Sequence, residues 1–175
     1  DFVNIDLSKL KNSDVVVAIV PHMFGLPSNL NCEDFSFPII EDCAQSIGAI
    51  VNGKCVGSQT YISIFSFYAT KLITSAGQGG AIIAKNISTA ELARDIRDFD
   101  CKPINKPRFN FQMTDIQATV GRIQLARLNE YINKREKLFS KYVSSGIELI
   151  GAELNISDTY VPVRYRAVHM TKNPG

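Results

Sequence analysis

An α/β domain, with a mostly parallel sheet flanked by helices, is the fold class that the sequence predicts. Three observations carry it. Short apolar runs of strand length crowd the first half of the chain, helix-period segments with cap signals follow, and 45% hydrophobic content over 175 residues suffices for one substantial core.

The first run, Val15 to Val20, is continuous, rich in β-branched residues and bounded by Pro21, which suits a strand covered on both faces. Pro38 to Ile40 repeats the pattern and ends on Glu41-Asp42. Ile62-Ser63-Ile64-Phe65-Ser66-Phe67 alternates and is aromatic, and Gly80-Ala81-Ile82-Ile83-Ala84 forms a fourth strand after a glycine-rich turn. Ser88 with Glu91 reads as a capping box for a helix through about Phe99, and Thr114 with Gln117 reads as another. From Asp115 to about Ser144 the apolar positions Ile116, Val120, Ile123, Leu128, Ile132, Leu138 and Tyr142 keep near-helical spacing up to a stop at Gly146, so one long amphipathic helix, kinked or straight, is expected. In such a layered domain, ligands gather at the carboxyl ends of the strands.

Charge and cysteine content exclude several classes. A formal net charge of +2, with both signs scattered along the chain, gives no electrostatic footprint for nucleic acid or an anionic membrane, and a small soluble substrate is expected instead. Cys32, Cys43, Cys55 and Cys101 lie 11, 12 and 46 positions apart, which matches neither a metal-binding pair nor a disulfide framework, so they read as reduced thiols. No stretch reaches the ~18 consecutive apolar residues of a membrane helix and no signal-peptide pattern opens the chain, so the cytoplasm is the expected location. The chain opens at Asp1 without a methionine and closes on Lys172-Asn173-Pro174-Gly175, so its ends read as cut.

Three polar groups follow or end strands, and each reaches the same sheet edge: Asp42, Ser66 and Lys71. A lysine flanked by Ala69, Thr70, Leu72 and Ile73 can be desolvated, which makes its amine a nucleophile toward an aldehyde. A solvated surface lysine is the commoner case. Asp42 reads either as a helix N-cap or as the carboxylate partner of a cationic ring nitrogen. Ser66, with Ser63 and Thr70 nearby, offers hydroxyl donors for a phosphate, although strand serines usually satisfy their neighbours. Gly77-Gln78-Gly79-Gly80 precedes a strand rather than a helix, so it is not a nucleotide fingerprint and reads as a tight turn that lets backbone pass close by, with direct ligand contact as the alternative.

Four ordered blocks carry a resemblance that single motifs do not. They are Ile39-Ile40-Glu41-Asp42-Cys43-Ala44-Gln45-Ser46-Ile47-Gly48-Ala49, then Gly53-Lys54 with Val56-Gly57-Ser58, then Phe65-Ser66-Phe67-Tyr68-Ala69-Thr70-Lys71, then Gly77-Gln78-Gly79-Gly80. Arg108-Phe109-Asn110-Phe111-Gln112-Met113-Thr114-Asp115-Ile116-Gln117-Ala118 extends the likeness, which runs from about Val15 to about Tyr142. Together they resemble the DegT/StrS family of nucleotide-sugar aminotransferases, which have the aspartate aminotransferase (type I) fold.

The resemblance implies a cofactor, pyridoxal 5'-phosphate, held as a Schiff base by Lys71, which would also shuttle the proton between cofactor and substrate carbons. It implies that Asp42 pairs with the pyridinium nitrogen and that Gln45 lies near the phenolic oxygen. Ser66 would bind the phosphate, and Asn110 would reach the phosphate held by the other subunit of a homodimer. Relatives that dehydrate deoxysugars carry histidine where this chain has Lys71, so transamination is favoured, from an amino-acid donor such as glutamate to a keto sugar linked to a nucleotide, as in polysaccharide biosynthesis.

The departures are informative too. Gln112 stands where arginine is usual, the segment from Gly25 to Pro38 is short for a helical crossover, and His22, within His22-Met23-Phe24-Gly25, reads as a packed histidine without a catalytic role. Family chains are roughly twice this length, and their phosphate loop and ring-stacking aromatic residue are not visible before Val15. Residues 1–145 are expected to be a partial cofactor-binding large domain, and residues 146–175 the start of an incomplete C-terminal small domain. An inactive remnant, or a partner subunit that keeps dimer contacts, stays open as the alternative to an enzyme.

Overall fold

A computed structural model of the chain describes residues 14–171, together with Asn4, Asp6 and Lys9. Most of the stretch before Val15, and Lys172-Asn173-Pro174-Gly175, lie outside the described residues.

Strands β1 (Ala18–Pro21), β2 (Ile39–Asp42), β5 (Ile62–Ser66) and β6 (Gly80–Ala84) form one sheet in the order β1-β2-β5-β6. The first three run parallel, with Ala18 opposite Ile39 and Ile40 opposite Ile62, while β6 is antiparallel to β5. The predicted mixed but mostly parallel sheet is therefore present. Parallel pairing puts the carboxyl ends of β1, β2 and β5 at one edge, where His22, Asp42 and Ser66 sit. The crossover from β1 to β2 holds no α-helix, only two 3₁₀ turns, at Met23–Gly25 and Cys32–Asp34, as its length requires.

Between β2 and β5 the chain makes a hairpin of β3 (Ile50–Val51) and β4 (Lys54–Cys55). Its two-residue loop, Asn52-Gly53, has φ of 54° and 70°, the left-handed pair that a type I′ turn demands and that asparagine and glycine tolerate best. β7 (Tyr160–Val161) adds to the same small sheet against β3.

Helix α1 (Ile87–Arg97) starts two residues earlier than the Ser88–Glu91 pair predicts: Asn86 is its cap, accepting from the Thr89 amide at 2.8 Å, because an asparagine just ahead of the segment competes successfully for that role. The long helix is two, α2 (Asp115–Ala126) and α3 (Leu128–Ser144), broken at Arg127, where ψ rises to 8°. Thr114 and Gln117 form the expected capping box. Thr114→Ala removes the acceptor for the Gln117 amide and is expected to lower stability by about 1 kcal/mol, read as a shift in the urea midpoint at unchanged slope.

Two apolar clusters hold these elements. Val20, Leu30, Phe37 and Ile39 pack under β1 and β2, and Cys43, Ala49, Val51, Val56, Leu72, Val163 and Tyr165 join the hairpin, the loop after β5 and the C-terminal segment. At about 1.5–3 kcal/mol for each fully buried large aliphatic or aromatic side chain, the second cluster is what fixes the C-terminal segment near Lys71. That segment is further tied down by Arg164, whose guanidinium bonds Glu136 at 2.9 Å and lies 3.9 Å from the Phe139 ring centre, and by Arg135, which donates to the Tyr165 carbonyl at 2.9 Å.

Candidate functional site

The site is built on the carboxyl ends of β1 and β2 and on the loop between β5 and β6. Asp42 closes β2, and no helix follows it, so the N-cap reading falls away. Its Oδ1 accepts the Ala44 amide at 2.9 Å in a tight side-chain turn, and Oδ2 takes no hydrogen bond among the described residues. One carboxylate oxygen is thus spent on orientation and the other is open.

Gln45 comes next in the same turn. Its Oε1 accepts the Phe24 amide at 2.8 Å, which fixes the amide orientation and leaves the Nε2 hydrogens as the free donors. Phe24 itself has φ of 55°, an uncommon conformation for a bulky residue, held where Gly25 meets the C-terminal segment.

The loop after β5 returns to β6 through backbone bonds from Phe67 to Gly79 (2.8 Å) and from Ala69 to Gly77 (3.1 Å). A Cβ on Gly80 would lie 2.8 Å from the Phe65 carbonyl oxygen, so the glycine run serves close backbone approach, as its position before a strand suggests. Ser66 Oγ accepts weakly from the Tyr68 amide at 3.4 Å, leaving its proton to donate. Lys71 is half-buried between the fully packed Leu72 and the open Thr70, and its amine makes no ion pair among the described residues. Instead Nζ lies 5.3 Å from the ring centre of Tyr165.

Tyr165 is a feature that sequence reasoning missed, since nothing in the spacing relates it to Lys71 across 94 positions. Burial alone would push its phenol up, but hydrogen bonds to Thr70 and Arg166, and the positive charges of Lys71 and Arg166, outweigh this and hold it below the ordinary tyrosine value. The Arg166 guanidinium lies 5.3 Å from the same ring, so two cations face one aromatic face or its reverse.

Asn110 makes no hydrogen bond to Asp42, Gln45, Ser66 or Lys71 among the described residues. It lines a cleft of about 930 Å³ between β6, α1 and the start of α2, with Gln78, Arg94, Arg97 and Gln112. Gln112 is occupied there, donating to Asp98 at 2.6 Å. The loop is set by Phe109 and Phe111, whose amides bond the carbonyls of Ile96 and Arg97 and whose rings stack at 4.9 Å.

Beneath Asp42 lies Glu41, fully buried. Its Oε1 accepts from His22 Nε2 (3.2 Å) and the Gly57 amide (2.9 Å), and its Oε2 accepts from the amides of Gln59 and Thr60 (3.2 Å each), with the Thr60 hydroxyl at 3.1 Å. Desolvation would raise its pKa, yet the His22 and Gly57 bonds, the His22 ring and the Thr60 amide prevail and lower it. His22, Glu41 and Cys43 bring their ligand atoms within 4.8 Å of one another, but this is no metal centre. Glu41 is saturated with donors, His22 Nδ1 already accepts the Ser28 amide at 2.9 Å, and burial, then the Glu41 charge, push the Cys43 thiol far up, away from the thiolate that a metal needs.

Residues 8–160 match the sequence profile of the DegT/DnrJ/EryC1/StrS aminotransferase family. The chain is 30% identical over 147 residues to the dTDP-3-amino-3,4,6-trideoxy-alpha-D-glucose transaminase of Micromonospora megalomicea subsp. nigra, covering 75% of this chain and 38% of that protein. It is 33% identical over 116 residues to the putative pyridoxal phosphate-dependent aminotransferase EpsN of Bacillus subtilis, covering 63% of this chain and 30% of the other. Among solved structures, S. venezuelae DesV in complex with a ketimine intermediate superposes with a TM-score of 0.79 at 26% identity, over 93% of this chain and 47% of that one. The chain thus spans less than half the length of each of these relatives.

Proposed function

Because the chain belongs to the DegT/DnrJ/EryC1/StrS aminotransferase family, we propose that it is the central part of a pyridoxal-phosphate-dependent aminotransferase that passes an amino group from an amino acid, such as glutamate, to a keto group on a nucleotide-linked sugar. The observation that carries this reading is the half-buried Lys71 amine on the loop after β5, without an ion pair among the described residues, together with Asp42 at the carboxyl end of β2, whose second oxygen takes no hydrogen bond among them.

The residues present fit the cofactor: a carboxylate oxygen, an amide with free donors, a hydroxyl with a free proton and an uncommitted amine match a ring nitrogen, a phenolic oxygen, a phosphate and an aldehyde in turn. When bound, pyridoxal phosphate supplies an electron sink for the carbanion that forms as a substrate C–H bond breaks. Asp42 would keep the ring nitrogen protonated, because a fixed anion favours the charged form of its partner. Gln45, its Oε1 committed to Phe24, would donate to the phenolic oxygen through Nε2. Ser66 would donate to the phosphate. The Lys71 amine would hold the cofactor and, once released, take and return the proton at the reacting carbons, its stem steadied by the Tyr165 ring.

A homodimer belongs to the same proposal. Asn110 lines the α1 cleft and, among the described residues, makes no hydrogen bond to Lys71 or Asp42, and Phe111 and Ile116 on either side of the α2 cap are exposed, so a phosphate contact from Asn110 suits a second copy's site. Among the described residues no helix is long and apolar enough to cross a membrane.

Adding L-glutamate to the chain loaded with pyridoxal phosphate is expected to bleach its visible absorbance band, and the α-keto acid is expected to restore it. A band that forms but is untouched by every amino donor tried would remove amino transfer from the reading while leaving the cofactor in place.

A further inference from the structure

Asp42 is useful only if its open oxygen is held at one angle, and its own turn supplies a single bond for that purpose, the one from the Ala44 amide. His22 supplies the rest of the grip from the neighbouring strand. Its backbone N–H donates to the Asp42 carbonyl at 3.2 Å, while its ring, 1% exposed, reaches the other side of the strand and meets Glu41 at 3.2 Å. Side chains alternate along β2, so Glu41 and Asp42 point to opposite faces and one residue clamps the chain on both sides of Asp42.

The tautomer follows from the partners. The Ser28 amide donates to Nδ1 at 2.9 Å, so Nδ1 carries the lone pair and Nε2 carries the proton it gives to Glu41. Ser28 is anchored in turn by its hydroxyl on the Pro21 carbonyl at 3.1 Å, so the ring is fixed from its far side.

We propose that His22, through Glu41 and the Asp42 carbonyl, is a positioning residue that sets the orientation of the Asp42 carboxylate. It does not touch the cofactor. The inference rests on Asp42 being the ring-nitrogen partner for its functional meaning, but the orientation of Asp42 can be read without any cofactor.

Three chains test it: unaltered, His22→Phe, which removes both ring hydrogen bonds, and His22→Gln, whose amide can donate to Glu41 and accept from Ser28. In the cofactor-free chain, hydrogen exchange of the Ala44 amide, which reports the Asp42 turn, is expected to quicken at least tenfold in His22→Phe and to return to within threefold of the original rate in His22→Gln, while amides in the middle of α3 stay unchanged. With pyridoxal phosphate added, His22→Phe is expected to weaken binding about tenfold in the unaltered background and not at all in the Asp42→Ala background.

Unchanged Ala44 exchange in a folded His22→Phe chain overturns the proposal, as does a loss of cofactor affinity that is equal with and without Asp42. If His22→Phe fails to fold, His22→Gln decides: quickened Ala44 exchange there, with α3 intact, also counts against the proposal, since the replacement keeps both bonds. Asp42→Ala binding the cofactor as tightly as the unaltered chain overturns the assignment of the site instead, and leaves the exchange result to judge His22.

Discussion

Glu41→Ala is expected to leave the chain largely unfolded. Removing the carboxylate strips the acceptor from three buried donors and one half-buried one at once: the His22 ring and the amides of Gly57 and Thr60, and the amide of Gln59. At about 1–3 kcal/mol for each buried group left unpaired, the loss takes most of the ~5–15 kcal/mol by which domains are stable. The Thr60 hydroxyl is spared, because its one proton also has the Ile62 carbonyl at 2.7 Å. Glu41→Gln keeps one oxygen and is expected to lose less. The same carboxylate gives an acid limit. Its folded pKa lies below the unfolded value, so its contribution to stability is complete above the ordinary glutamate pKa of about 4.3 and is lost as pH falls through the lower folded value. Urea midpoints measured from pH 6 downward should fall in that window for the unaltered chain and fall less for Glu41→Gln; equal slopes in the two would contradict the account.

Gly25→Ala is the second large effect. Gly25 has φ of +86°, where an added Cβ is strained by about 1–2 kcal/mol on its own, and that Cβ would overlap the Val163 carbonyl oxygen. Backbone cannot yield as a side-chain tip can, so either Gly25 or Val163 must move. The Val163 amide bonds the Gly25 carbonyl at 3.0 Å, and that bond goes with it. The segment carrying Tyr165 then leaves Lys71. A loss of at least about 3 kcal/mol is expected, from the strain, the lost bond and the disrupted packing of Val163 and Tyr165 together. The accompanying sign is a rise in exposure of Tyr165, read by its ultraviolet absorbance. A variant as stable as the original, with Tyr165 still covered, would show that the contact does not hold the segment.

How much of this the sequence makes legible depends on distance along the chain. The parallel strands, the Thr114 cap and the order Asp42, Ser66, Lys71 follow from local patterns, because strand periodicity and cap chemistry involve neighbours a few residues apart. Asn86 shows the limit even there: two cap candidates two positions apart, Asn86 and Ser88, compete, and only geometry decides between them. The break at Arg127 is invisible in the apolar spacing, which runs on through it with nothing but a small change of phase. Glu41 and His22 read as a strand end and a packed histidine; that they meet, and that Glu41 gathers the 57–60 loop, needs the β1–β2 register. Tyr165 at Lys71 is the most remote, created by the docking of the C-terminal segment onto Gly25, α3 and the hairpin. Asn110, given its role by resemblance, lines the cleft beside α1 and β6, a placement that no local pattern in the sequence specifies.

The most direct test of the Lys71 site is an absorbance scan of the purified chain with pyridoxal phosphate, followed by borohydride reduction and peptide mass mapping. A visible band, with the reduced pyridoxyl label confined to Lys71 and lost in Lys71→Ala, is the predicted result. No band, or a label spread over exposed lysines such as Lys54 and Lys137 with Lys71 unmodified, would contradict it.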